Sequence, residues 1–329
     1  MLSYEGKIVL APMVRVGTLP MRLLALEYGA DLVWTPEIID KKLLTSTRTV
    51  NTRLNTVDYI SNRTLVLRLH PCEKPKLVLQ LGSADPELAL QAARMVAPDV
   101  AGVDLNCGCP KHFSVHAGMG AALLSEPDRL CNILKRLVTG LPGVPVTAKI
   151  RLLPDQEKTL ELVKRIGATG IRALTVHCRT PADRPRHPAK YDMLAEIVKV
   201  CPVPVIANGD FFDRSQFAGI LETGVRSIML ARAAQWNVSI FRTEGLLDPM
   251  EVSKAYLKKA IEVENPFSNT KYTVLQMWLD RPYSDKNLTR KLQSCKSMAE
   301  LCGTFNMEYI PTEPLDLDNG EESDEVLCN

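Results

Sequence analysis

The apolar run Val103-Asp104-Leu105-Asn106 leads into Cys107-Gly108-Cys109-Pro110-Lys111. Gly and Pro make a turn there, which sets the Cys109 thiol at a strand end within reach of a ligand. Reactivity, more than bulk, governs cysteine in such a place. Other apolar runs close on polar groups too: Ala11-Pro12-Met13, Gln80, Lys149 with Arg151, His177-Cys178-Arg179, Asn208-Gly209-Asp210 and Ala231-Arg232. A lysine within a buried strand costs several kcal/mol unless an anion offsets it. One such residue is readily a satisfied core group; a set delivered to one face is a constellation.

Two of these ends suit phosphate. Gly209 lets backbone N–H groups approach an anion, and Ala231, Ala233 and Ala234 leave room around the fixed charge of Arg232. They point to a phosphorylated cofactor such as FMN. Gly118-Met119-Gly120-Ala121-Ala122 follows a long loop rather than a strand, so it is not read as a dinucleotide fingerprint.

The elements that must position these residues alternate. Strands are expected at Ile8–Ala11, Asp31–Thr35, Leu77–Leu81, Gly102–Asn106, Val146–Ile150, Ala173–His177, Val203–Ala207 and Ser227–Ala231. Amphipathic helices are expected at Leu19–Tyr28, Pro86–Val96, Asp128–Val138, Lys158–Ile166, Tyr191–Val200 and Arg214–Glu222. Runs apolar almost throughout are buried on both faces, and strands alternating with helices make right-handed βαβ units. Eight of them predict an α/β fold, a (β/α)8 TIM barrel with its site at the C-terminal strand ends. The stretch Lys41–Pro75 is irregular, and Thr64–Leu69 reads as an extra strand or as part of a long βα excursion. After Trp236 the short apolar runs stop, and helical patterns such as Met250–Val263 and Lys271–Leu279 take over. The expected division is an FMN-binding barrel over 1–245, a small all-α helical domain over 246–310 and an acidic disordered tail over 311–329.

At 329 residues and 46% hydrophobic, the chain can bury a sizeable core. Its net charge of +2 hides seven acidic residues after Thr312; without them the body stands at +9. A basic body is compatible with a polyanionic partner. The nine cysteines are odd in number and contain no C-x-x-C pair, which argues against a disulfide framework and against a metal site. Reduced thiols suit an intracellular setting, cytoplasmic or nuclear. No run of about 18 apolar residues offers a membrane span, and Met1–Lys7 leaves no room for a signal or transit peptide before the first strand.

These strand ends, with Ala11-Pro12-Met13-Val14-Arg15-Val16-Gly17-Thr18-Leu19-Pro20-Met21-Arg22, Cys109-Pro110-Lys111, Gly118-Met119-Gly120-Ala121 and Asn269-Thr270-Lys271-Tyr272, resemble the tRNA-dihydrouridine synthases. Within them the chain is similar to the eukaryotic branch associated with position 20 of the D-loop, fungal type. The resemblance covers roughly residues 7 to 310. It implies an FMN-dependent barrel and a helical tRNA-binding domain, reducing one uridine to 5,6-dihydrouridine with NADPH or NADH. By position it makes Cys109 the catalytic cysteine, a general acid toward C5 opposite hydride delivery to C6. It makes Ala11, Pro12, Met13, Gln80, Lys149, His177, Asn208, Gly209, Asp210, Ala231 and Arg232 FMN contacts. Two departures stand out: Phe113 and Ser114 replace a Lys-Val pair of many bacterial members, and Ala231-Arg232 replaces Gly-Arg.

On that reading Asn106 orients the uracil edge, and tRNA is held by Arg179, Arg184, Arg186, His187 and Lys190. Lys258, Lys259, Lys271, Arg290, Lys291 and Lys296 extend the surface into the helical domain. The expected partners are tRNA and a nicotinamide dinucleotide, with no membrane, no metal and a monomeric chain. Two rivals remain at this point: an FMN barrel acting on a free pyrimidine, and a non-catalytic tRNA-binding folding factor.

Overall fold

The computed structural model describes residues 2–279 and 281–310; the expected acidic tail over 311–329 lies outside the described residues. The strands are β1 (Ile8–Leu10), β2 (Leu32–Ile39), β3 (Thr47–Asn51), β4 (Thr56–Ser61), β5 (Thr64–Leu69), β6 (Leu77–Gly82), β7 (Gly102–Cys107), β8 (Val146–Arg151), β9 (Ala173–His177), β10 (Val205–Asn208) and β11 (Ser227–Leu230). All but β3–β5 close into one barrel in the order β1-β11-β10-β9-β8-β7-β6-β2, every pairing parallel. Helices wrap it, and the molecule is a (β/α)8 TIM barrel followed by further helices.

Local chemistry starts the helices where they start. Pro86 opens the helix Pro86–Val96, and Asp85 caps it by accepting from the N–H groups of Glu87 and Leu88. Asp248 with Pro249 does the same for Pro249–Glu262. Two outer helices begin later than their patterns suggest, at Leu194 and Gln216, because the residues before them form turns. Inside the barrel, Val9, Ala11, Leu32, Trp34, Val78, Ala173, Ile206 and Met229 pack against Tyr4, which plugs the end away from the site. Leu10, Val33, Leu77, Leu79, Val103 and their like face outward into the helices. That is the period-2 alternation of a strand buried on both sides.

The irregular Lys41–Pro75 stretch is an insertion between β2 and β6 carrying the antiparallel sheet β3-β4-β5. Thr64–Leu69 is its third strand. Strand β2 runs past the expected end at Thr35 to Ile39. Pro36 is accommodated at a register irregularity between Trp34 and Glu37 instead of ending the strand.

Buried arginines fasten the insertion. Arg22, 1% exposed, donates to both oxygens of Glu73 at 2.8 and 2.7 Å and to the carbonyls of Gly17 and Arg68. Arg68 forks onto Asp58 at 2.8 and 2.7 Å and reaches the carbonyl of Val263 at 2.7 Å. The last helices (Pro249–Glu262, Phe267–Trp278, Lys286–Ser294, Met298–Thr304) are thereby tied to the barrel. A second tie joins the loop after β1: Asn269 donates to the carbonyl of Arg15 at 2.7 Å and accepts from Thr18 at 3.1 Å, while the Arg15 guanidinium lies 4.1 Å from the Tyr272 ring centre. Asn269 and Tyr272 belong to the motif singled out above, and here they join the final helices to the loop after β1.

Glu73→Gln leaves the Arg22 charge buried without its counter-ion. The expected cost is about 3–5 kcal/mol, read as a lowered midpoint in urea unfolding; an unchanged midpoint would mean that the pair carries no stability.

Candidate active site

Parallel register sets the mouth of the barrel. Asn106 stands beside Lys149, Lys149 beside Thr175, Arg151 beside His177, and His177 beside Asn208. One layer deeper, Gln80 lies beside Asp104 and Asp104 beside Thr147. Alternation sends these side chains to the same interior face.

The cysteine turn is pinned from several sides. The Asn106 side-chain oxygen accepts from the N–H groups of Gly108 and Cys109, both at 3.0 Å. Arg151 donates to the Gly108 carbonyl at 2.8 Å, and Ala121 N–H to the Cys109 carbonyl at 2.9 Å. Gly120 sits at φ +58°, where a Cβ would come within 2.4 Å of Ser114 Oγ and 2.6 Å of the Cys109 carbonyl. Cys109 is half-buried, whereas Cys107 beside it is sealed in the core. Burial first, and then the carboxylate of Glu37, push the Cys109 thiol above its ordinary range. It is therefore held as a thiol at neutral pH, the form a proton donor requires. Asn106 has its oxygen committed to the turn, and its amide NH2 bears on the Glu37 carboxyl.

Below the thiol lies a polar layer. Asp104 accepts from Gln80 Nε2 at 2.8 Å and from Thr147 Oγ1 at 2.7 Å. Burial pushes its carboxyl up to about 6, against the pull of Gln80, Thr147 and Lys149. Burial brings the Lys149 ammonium down to about 8; Arg151 adds to this, while Asp104 and Cys109 oppose it.

The opposite rim is cationic. His177 is held neutral by burial and by Lys149, Arg151, Arg179 and Arg232. Asp210 accepts from both Arg179 and Arg232, and Arg232 also donates to the Pro185 carbonyl at 3.2 Å. Asn208 donates to the Met229 carbonyl at 2.9 Å, fastening β10 to β11. The Asp210 N–H is taken by Tyr191 Oη at 3.0 Å, and the space a side chain on Gly209 needs is filled by Tyr191 and Ala189. Gly209 and Asp210 thus shape the rim, and Arg232, about a third exposed at 31%, is its outward-facing charge. Ala11 is buried and donates to the Leu230 carbonyl, Pro12 and Met13 are half-buried, and Ala231 precedes the short helix Arg232–Trp236.

The expected RNA contacts divide. Arg184, Arg186 and Lys190 are exposed on the loop after β9. Arg179 is not available: it is 3% exposed, ion-paired with Asp210 and donating to the His187 carbonyl at 2.8 and 2.6 Å. Lys271 is likewise committed, with Nζ at 2.7 Å from the carbonyls of Gln293 and Cys295, where it caps the helix Lys286–Ser294. Both charges are engaged within the chain itself. Sequence reasoning also missed Glu37, which stands in register with Gln80 at the mouth. Its signal was its place as the polar residue closing the second strand, masked by Pro36. Among the described residues, no group of three or more His, Cys, Asp or Glu is placed to hold a metal, and no helix is long and apolar enough to cross a membrane.

A closed parallel barrel with a thiol, an ammonium and a cationic rim at its C-terminal mouth defines a barrel enzyme whose chemistry occurs at that mouth. The solved structure of TcOYE with pHBA shares the fold at a TM-score of 0.52, with 10% identity over 79% of this chain and 94% of that one. The model of the family described as dihydrouridine synthase (Dus) matches residues 9–305, and the chain belongs to that family. It is 51% identical to the tRNA-dihydrouridine(20) synthase [NAD(P)+] of Schizosaccharomyces pombe, over 94% of this chain and 67% of its relative. It is 46% identical to the protein of the same name from Saccharomyces cerevisiae, over 83% of this chain and 77% of that one.

Gly120→Ala places a side chain in left-handed backbone against the cysteine turn. The expected loss is about 1–3 kcal/mol in chemical denaturation, with faster alkylation of Cys109 as the turn loosens. A variant as stable as the parent, with unchanged Cys109 alkylation, would show that the turn does not depend on this glycine.

Proposed function

We propose that this chain reduces a uridine of tRNA to 5,6-dihydrouridine, at position 20 of the D-loop, using FMN and NADPH or NADH. The observation that carries the reading is the Cys109 thiol, kept protonated on a pinned turn at the barrel mouth beside Lys149. Family membership and the names of the two fungal relatives support the substrate.

The residues present fit FMN. Four cations bear on His177, a concentration of charge that an anionic phosphate relieves, and Arg232 extends it outward. Lys149 makes no hydrogen bond or ion pair among the described residues, so its ammonium is free to meet electron-rich atoms. On this reading Lys149, Gln80 and Met13 would hold the ring system, and Arg232 with His177 would hold the phosphate. When bound, FMN reduced by NADPH or NADH supplies the hydride for C6 of the uracil.

The chain's own groups do the rest. Cys109 gives its proton to C5 from the opposite face, which places acid and hydride across the ring. Asn106 fixes the thiol through the turn, at the edge of the mouth where the base enters. Arg184, Arg186 and Lys190 meet the RNA backbone beside the mouth, offsetting the few kcal/mol that unstacking a base costs. A free pyrimidine has no use for that outer charge, and direct competition between uracil and unmodified tRNA separates the two substrates.

Cys109→Ala should still bind tRNA while its reduction slows by about 10²–10⁴-fold, read by mass spectrometry of the product tRNA; unchanged turnover would remove Cys109 as the acid. Lys149 supplies a pH signature. Its ammonium is charged below about 8 and lost above it, so turnover falls as pH rises through that range. In Lys149→Arg the charge persists and the alkaline fall moves upward; an identical alkaline limb in both would assign it to another group.

A further inference from the structure

The carboxyl of Glu37 is the unexplained group at the mouth. Both of its oxygens are shut off from water without a hydrogen-bond partner of normal geometry. It is held against β6, where a Cβ on Gly82 would come within 2.6 Å of Oε1. A buried carboxylate with no well-formed hydrogen bond is costly, so a retained one calls for a role. Its polar neighbours are Asn106 and Cys109, the residues that carry the thiol.

We propose that Glu37 is a positioning residue for the Cys109 thiol, holding sulfur in its protonated form and returning a proton to it after each turnover. This rests on Cys109 acting as the acid. Once Cys109 has protonated C5, the thiolate takes the proton of the Glu37 carboxylic acid. One O–H bond breaks, one S–H bond forms, and the carboxylate recovers a proton from water when the RNA leaves.

The direction of transfer follows from the surroundings. Burial pushes the Glu37 carboxyl up to about 7, offset by Asn106 and Cys109. The thiol lies above its ordinary range, raised by burial and by Glu37. Proton transfer from carboxyl to thiolate is therefore downhill, and the carboxyl refills near neutral pH. The other groups facing the pair leave this order intact. Gly82 and Gln80 present no ionisable group from β6. Cys107 also feels Glu37 from β7 but is sealed in the core and held as a thiol. Lys149 and Arg151 both face Cys109 from β8, with Asp104 offsetting Lys149 from below.

The test measures alkylation of Cys109 by iodoacetamide in the flavin-loaded enzyme, resolved by peptide mass spectrometry, with exposed Cys72 as internal control. At pH 7.5 in Glu37→Gln, Cys109 should alkylate roughly three- to tenfold faster, because the charge opposing its thiolate is gone. Cys72 should be unchanged, and Glu37→Asp should fall between. The unaltered enzyme gives a second measurement that needs no folded variant. As the carboxyl ionises, its Cys109 alkylation rate should bend near pH 7 before rising again. A rate in Glu37→Gln equal to the parent's, or a single smooth ionisation in the unaltered enzyme, overturns the proposal. The two readings fail separately: the coupling fails on alkylation alone, whereas the acid fails if Cys109→Ala still reduces tRNA.

Discussion

Two backbone N–H groups donating to one amide oxygen decide where the sulfur sits. Gly108 and Cys109 both donate to Asn106, and Asn106 is the last interior position of β7 before the turn. The thiol is thus placed by the barrel itself rather than by a mobile loop. Arg151 reinforces this from the neighbouring strand through the Gly108 carbonyl, and the Ala121 N–H closes the far side. A site built on strand ends inherits the rigidity of the sheet.

Charge is sorted around that sulfur. Carboxyls lie on the β2–β7 side, Glu37 at the rim and Asp104 beneath it, each raised by burial. Guanidinium groups gather on the β9–β11 side, tied by Asp210. Lys149 stands between the two, with its proton affinity lowered by burial and Arg151 against the pull of Asp104 and Cys109. Acidic groups thus line one rim of the mouth and basic groups the other. His177, neutral amid cations, stands on the cationic rim without adding to its charge.

Much of this was legible in the sequence, for physical reasons. Barrel strands buried on both faces are apolar almost throughout, so all eight stand out, and the polar residue closing a run marks the mouth. Strand β3 did not stand out because Thr47–Asn51 is exposed almost along its length and carries no alternation to read. Glu37 was hidden because Pro36 normally ends a strand, and a register irregularity absorbed it here. Arg179 and Lys271 were taken for free cations because their partners, Asp210, His187, Gln293 and Cys295, are set by tertiary packing. A lone sequence gives a charge without the carbonyl that occupies it.

The ties between barrel and final helices bear on how the protein can be dissected. Arg68 reaches from the inserted sheet to the Val263 carbonyl, and Asn269 with Tyr272 grips the Arg15 loop that follows the first barrel strand. A truncated barrel ending near residue 246 loses one of the acceptors of a buried guanidinium and the brace on the loop after the first barrel strand. The two modules are accordingly a single folding cargo, and swapping the helical part for a relative's requires transplanting its handholds on the barrel with it.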